Sequence, residues 1–244
     1  MQAVQATVVG APMQQNMDAG DDIFKGAKQL FIQQEFAAIE ICSIEAKQRY
    51  RISEAQNGKE GTPFLYITEQ SDCMERICCS VNRTLTLKVH NGPSADAPVA
   101  LHFHKPFHCQ GCCFCRPEFQ IFGPGGKGTT PLGTIKDPCR VCWMDQQVYG
   151  PNGEQDLRFS TNGSPWQCGN FCPCCAGVAF NVQKGTPPEN IGKIEKLPMD
   201  CAELCLKTNR FTVDFGSVDD VVDKKLILAS AMLLDLEYFE QNKN

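Results

Sequence analysis

LILASAMLL, Leu226 to Leu234, is the stretch whose reading decides the fold. Apolar residues occupy nearly every angular position of a helix drawn through it. Such a helix is buried either in protein or in lipid. Nine helical residues cover about 14 Å, less than half of a hydrocarbon core of roughly 30 Å. Lys224 and Lys225 precede the run, and Asp235 and Glu237 follow it. The run is too short to span a bilayer, so protein must surround it. Asp219, Asp220 and Asp223 fall in the first turns, where carboxylates suit the positive end of a helix dipole. The pattern predicts one buried C-terminal helix over 219–241.

What surrounds the helix is written upstream. Twelve short runs alternate with turn signals: QLFIQQE, QRYRISE, PFLYITE, RTLTLKV, VALHFH, EFQIFG, PLGTIKD, CWMDQQVYG, DLRFST, GVAFNV, NIGKIEK and RFTVDFG. Their length, period-2 alternation and Gly, Pro or Asn boundaries are strand signals. Twelve strands without long helices between them predict a mainly β architecture, a barrel or sandwich. A barrel of about twelve strands is wide enough to hold one helix. Asn57-Gly58, Asn91-Gly92, Asn152-Gly153 and Asn162-Gly163 read as hairpin turns. Residues 1–22 are polar and read as a disordered leader, leaving 23–244 as one domain.

Composition narrows the function. The chain has 244 residues, 42% hydrophobic and 21% charged, enough to bury a core without disulfide staples. A net charge of −5 and a pI near 5.4 argue against a general nucleic-acid binder. The first twenty residues show no secretory signal, and Gln2 rules out N-myristoylation. This reading places the protein inside the cell, and the sequons at Asn82 and Asn162 are then chance matches. FGPGGKGTT, Phe122 to Thr130, lacks the glycine and hydroxyl spacing of a phosphate-binding loop and reads as a hairpin connection. No G-x-S-x-G elbow occurs, and no signature of covalent chemistry survives.

The sixteen cysteines carry the remaining signal. HCQGCCFC, His108 to Cys115, holds four of them. Cytosolic thiols are mostly kept reduced, which argues against a disulfide framework. Three readings stay open. Reduced thiols behave as small hydrophobes in many proteins. The knuckles Cys109/Cys112 and Cys139/Cys142 form a candidate zinc site, with His102, His104 and His108 as further nitrogen ligands. Clustered cysteines beside Phe107 and Phe114 also suit S-acylation, since two or more acyl chains hold a protein firmly to a membrane.

Six stretches, in order, resemble the phospholipid scramblase family. They are FIQQEFAAIEICS, QSDCMERICCSVNRTLTLKV, PFHCQGCCFCRPEFQIFGPGG, WQCGNFCPCCAGVAFNV, IGKIEKL and LILASAMLLDLEYFE, spread over about residues 23–240. The resemblance implies a tubby-like closed barrel of about twelve antiparallel strands around the C-terminal helix. It implies calcium-activated, ATP-independent, bidirectional movement of phospholipids between leaflets, without covalent chemistry. It implies palmitoylation in the cysteine-rich run, here at Cys112, Cys113 and Cys115 with Cys109 beside them. The protein would then sit at the cytoplasmic face of the plasma membrane, with a cytosolic or nuclear pool, among anionic lipids and as a candidate homo-oligomer.

The family's acidic calcium loop corresponds to KTNRFTVDFGSV, Lys207 to Val218. Lys207 stands where its first acid falls. Asn209, Asp214, Asp219 and Asp220 are the oxygen donors left for calcium. Two alternatives to lipid transport remain: a membrane-anchored lipid-binding adaptor, and an intracellular regulator stabilised by zinc at Cys109, Cys112, Cys139 and Cys142.

Overall fold

The structure is a computed structural model, and it describes residues 23–35, 47–56, 59–79, 82–108, 116–138, 140, 143–206 and 208–240. Twelve antiparallel strands follow one another around a closed barrel: β1 Gln29–Gln34, β2 Arg49–Gln56, β3 Lys59–Ser71, β4 Leu85–His90, β5 Val99–Lys105, β6 Glu118–Phe122, β7 Gly133–Lys136, β8 Met144–Tyr149, β9 Leu157–Gly163, β10 Val178–Lys184, β11 Glu189–Lys196 and β12 Arg210–Asp214. The last strand closes on the first, with Leu30 opposite Val213 and Ile32 opposite Phe211. Closure leaves no unpaired sheet edge. Period 2 sets the faces: Leu85, Leu87 and Val89 of β4 point inward, and so do Val178, Phe180 and Val182 of β10.

A short helical turn over 23–26 precedes β1, and four further α-helices bear on the site. They are α1 Cys73–Cys79, α2 Cys168–Phe171, α3 Cys201–Leu206 and α4 Val221–Leu234. Helix α4 fills the barrel, and every residue from Leu226 to Leu234 is fully buried. Its all-round apolar character is therefore satisfied by strands on all sides. Asp220 caps it, its side chain accepting from the Asp223 amide at 2.8 Å. This cap starts the helix two residues later than the sequence pattern suggests. After Leu234 the backbone widens into a π-helical turn, Asp235–Phe239, with the Glu240 amide donating to the Asp235 carbonyl at 2.8 Å.

Two glycines answer to close packing. A Cβ on Gly133 of β7 would lie 2.8 Å from a Leu226 methyl, so the missing side chain makes room for α4. Gly163 corrects the turn expected at Asn162-Gly163, because both residues lie inside β9. A Cβ there would stand 2.6 Å from the Phe180 ring, and Asn162 donates across to Gln183 at 2.6 Å. Glycine serves ring packing at this position rather than chain reversal. Asn152-Gly153 does turn the chain, with Gly153 at φ 73°. Asn57-Gly58 lies outside the described residues.

Candidate functional site

A barrel of sequentially paired antiparallel strands sends alternate connections to alternate mouths. Helix α4 enters at one mouth, after β12, and its tail reaches the other, here termed the exit mouth. The connections β1–β2, β3–β4, β5–β6, β7–β8, β9–β10 and β11–β12 belong to the exit mouth. All sixteen cysteines of the sequence fall within these six connections. The opposite connections carry none. The sequence shows the cysteines as clusters, and their one-sidedness appears only when strand parity is counted.

The exit mouth is closed by ionic and polar contacts to the helix tail. Arg83, from the β3–β4 connection, is fully buried; its Nε donates to Glu69 Oε1 at 3.0 Å and its Nη2 to Glu240 Oε1 at 2.9 Å. Gln48, from β1–β2, donates to the same Glu240 oxygen at 3.0 Å. Arg116, from β5–β6, pairs with Asp137 and lies 3.4 Å from Glu237 Oε1. Asp137, from β7–β8, accepts from the Tyr238 hydroxyl at 3.3 Å. Asn209, from β11–β12, donates to Asp235 Oδ1 at 2.6 Å, and the Tyr50 hydroxyl donates to Asp235 Oδ2 at 2.6 Å. Five of the six cysteine-bearing connections thus touch the tail of α4.

Burial and neighbouring charge set the protonation of this cluster. Burial pushes the Glu69 carboxyl up, but the charge and hydrogen bonds of Arg83 outweigh it and hold the group below its ordinary value. Glu237 goes the other way, raised well above the carboxylate range by burial and then by Asp137. Burial and the charge of Arg83 bring the Lys105 ammonium down to about 7. His108 is lowered to about 4 by burial and the charge of Lys105. The cluster is a seal: most of its polar atoms are spent on one another, while Glu237 Oε2 and both ring nitrogens of His108 are buried without a hydrogen bond.

The acylation candidates Cys109, Cys112, Cys113 and Cys115 lie outside the described residues, as do Cys139 and Cys142 of the zinc reading. His108 and Arg116 flank the first run and are both held at the exit mouth: the His108 amide donates to the Asn82 carbonyl at 3.3 Å. His102 bonds Gly123 and His104 bonds Thr86, so both histidines serve barrel contacts. Among the described residues, Cys172, Cys174 and Cys175 bring three potential metal-ligating atoms within 4.8 Å of one another. Cys172 and Cys175 form a disulfide, and the Cys174 sulfur lies 3.6 Å from that of Cys172. This link spans three residues and is local, not a framework. The motif C-x-C-C was visible in the sequence, but the C-x-x-C knuckles drew the zinc reading elsewhere.

The four calcium candidates do not meet as one site. Asn209 is buried at the exit mouth, with its amide nitrogen committed to Asp235. Asp214 stands at the far end of β12, about 16 Å away at the usual strand rise. It caps the turn by accepting from the Gly216 amide at 2.8 Å. Asp219 is exposed, and Asp220 caps α4 and faces Arg158 at 3.7 Å. An ion asking for six to eight oxygens does not fit this set.

A twelve-strand barrel plugged by its own C-terminal helix, with every described cysteine at one mouth, defines a helix-filled barrel protein of the tubby-like kind. The chain belongs to the scramblase family, whose model matches residues 8–241. It is 25% identical over 232 residues to phospholipid scramblase 2 of Bos taurus, covering 93% of this chain and 74% of that protein. It is 23% identical over 233 residues to phospholipid scramblase 1 of Mus musculus, covering 94% of this chain and 66% of that protein. With human phospholipid scramblase 1 it shares 24% identity over 229 residues, 92% of this chain and 67% of the relative. The chain therefore spans about two thirds to three quarters of these relatives' length. No solved structure matches it.

Proposed function

We propose that this protein moves phospholipids in both directions between leaflets without ATP, while S-acylated at Cys112, Cys113 and Cys115, with Cys109 as a further acceptor, on the cytoplasmic face of the plasma membrane. The observation that carries this reading is the gathering of the described cysteines at one mouth of a scramblase-family barrel, in connections alternate to those that carry none, with the 109–115 run falling by sequence between β5 and β6. In acylation a thiolate attacks the carbonyl of a fatty acyl thioester, a protein thioester forms and the donor thiol leaves. Two or more chains, at about 0.8 kcal/mol per buried CH₂, anchor a protein that has no spanning helix among its described residues.

Lipid movement breaks no covalent bond. Its barrier is the passage of a charged headgroup through hydrocarbon. A groove through this barrel would require α4 to leave, exposing nine fully buried residues and the strands that line them. At about 1.5–3 kcal/mol for each large apolar side chain, that costs tens of kcal/mol. Several anchored copies deforming the bilayer meet no such cost. Calcium activation is the family expectation; because Asn209, Asp214, Asp219 and Asp220 do not form one site, no step is assigned to the ion.

The test is reconstitution of the full chain into vesicles with a fluorescent headgroup-labelled lipid and an impermeant quencher. Accelerated loss of inner-leaflet protection supports transport, and runs with calcium and with chelator establish whether the ion is needed. Rates equal to protein-free vesicles in both conditions would sink the activity.

A further inference from the structure

Cysteines are not the only side chains gathered at the exit mouth. Nine large hydrophobic residues are exposed among the described residues, and eight of them lie in exit-mouth connections. Trp143, Trp166, Phe171, Phe107, Met74 and Ile77 are six, and two leucines of α3 are the others. Leu157, at the start of β9, is the exception at the opposite mouth. Trp166 and Phe171 stack on each other, with ring centroids 6.3 Å apart and planes 19° apart, and are 73% and 70% exposed. An aromatic pair that packs on itself and faces water is not completing a core. Isolated exposed leucines need no explanation, but aromatics collected at one end of a molecule mark a contact surface.

The side chains also say what the contact is. They come from five separate connections around a rim and do not line one groove; the cleft between β1 and α3 takes only Leu206 of them. Tryptophan and phenylalanine on loop tips favour the boundary between headgroups and acyl chains, where an apolar ring meets a wet surface. Three of the described cations at this mouth pair with acids: Arg116 with Asp137, Arg140 with Asp145, and Arg210 with Glu203. The rim therefore offers apolar insertion without a surplus of positive charge.

We infer that the exit mouth is a membrane-docking face: the barrel stands end-on, and its loop-tip aromatics enter the bilayer interface independently of any acyl chain. The occupant is a phospholipid surface, with no requirement for anionic headgroups. Docking in this pose brings the exposed thiols of α1, α2 and α3 to the membrane, on the mouth where His108 and Arg116 are held. It also points the tail of α4 at the membrane while the helix stays inside the barrel. The inference rests on the membrane association proposed above and adds the surface and its orientation.

The chain reports on itself, because both of its tryptophans, Trp143 and Trp166, are on this face. Full-length protein stripped of thioesters with hydroxylamine is mixed with zwitterionic phosphatidylcholine vesicles, with and without bromine on the acyl chains. The expected result is sedimentation with vesicles, a blue shift of tryptophan emission, and quenching by the brominated lipid. The double variant Trp166→Ala/Phe171→Ala should lower the partition coefficient at least about tenfold, which is about 1.4 kcal/mol for the pair of rings. Leu157→Ala, at the other mouth, should leave it unchanged. These side chains are exposed, so an unchanged urea midpoint confirms that the variants fold.

Sedimentation with unshifted, unquenched tryptophan would overturn the docking face while leaving membrane association standing. Failure of the stripped chain to sediment would also overturn it, and acyl chains alone would then hold the protein. Equal partition of the double variant and the wild type would overturn it as well.

Discussion

Arg83 is the residue on which the exit mouth depends most. It is fully buried and bridges Glu69 of β3 to Glu240 beyond α4, the latter 157 residues from Arg83 in sequence. Removing one partner of a buried ion pair leaves charge uncompensated in a medium that solvates it poorly, at a cost of about 3–5 kcal/mol. Arg83→Ala strands two carboxylates, so a loss at the upper end of that range is expected in urea unfolding. Glu69→Gln keeps Glu240 as a partner for the guanidinium and should cost less. Equal midpoints for Arg83→Ala and the wild type would show that the bridge does not hold the helix tail. Histidines give a second test at this scale. Burial, with Lys127 for His104 and Lys105 for His108, lowers both rings from 6.5 to about 4. Between those values the unfolded chain binds more protons than the folded one. Stability from these groups is therefore complete above pH 6.5 and is lost as pH falls to about 4, by at most about 3 kcal/mol for each ring and less to the extent that solvent screens the charge. Urea midpoints from pH 7 to 4 should fall more steeply for the wild type than for His104→Gln/His108→Gln. Parallel curves would refute the assignment.

At the scale of the element, strands were more legible than their surroundings. Each of the twelve runs, from QLFIQQE to RFTVDFG, overlaps one observed strand. Alternation is a local property, and a closed barrel imposes it on every strand alike. LILASAMLL was legible for the opposite reason, since its lack of any polar face allowed a single soluble solution. Asn162-Gly163 misled because turn chemistry is local while the Phe180 ring that needs the glycine is seventeen residues away. The carboxylates after the helix were read as the end of an apolar segment, whereas each of Asp235, Glu237 and Glu240 has a partner from a distant connection. Partners that far apart leave no periodic trace. For the cysteines, sequence showed clustering; only strand parity shows that the described ones, on α1, α2, α3 and the segment after α2, share one mouth. The calcium reading suffered from the same blindness, because Asn209 and Asp214 are near in sequence and at opposite ends of β12.

Across the whole molecule, the central question is whether α4 stays in place when the protein meets a membrane. Three sets of contacts bear on it. Between Leu226 and Leu234 the barrel buries every side chain. At the entry mouth, Lys224 Nζ donates to the carbonyls of Phe24 and Ala27, both at 2.9 Å, and Asp223 pairs with Arg158 at 2.9 Å. At the exit mouth, five connections hold the tail. A helix fastened at both ends and packed along its length should open only with the barrel itself, so its amides should exchange through global unfolding. Hydrogen exchange read by mass spectrometry, with and without vesicles, provides the comparison. Peptides covering α4 and the inward strands β4 and β10 are expected to keep the slowest exchange in both conditions, while peptides from α1, α2 and α3 gain protection on vesicles. Faster exchange of α4 together with β4 and β10 on vesicles would mean that the helix leaves the barrel. A path for lipid through the emptied barrel would then replace bilayer deformation by the sealed molecule.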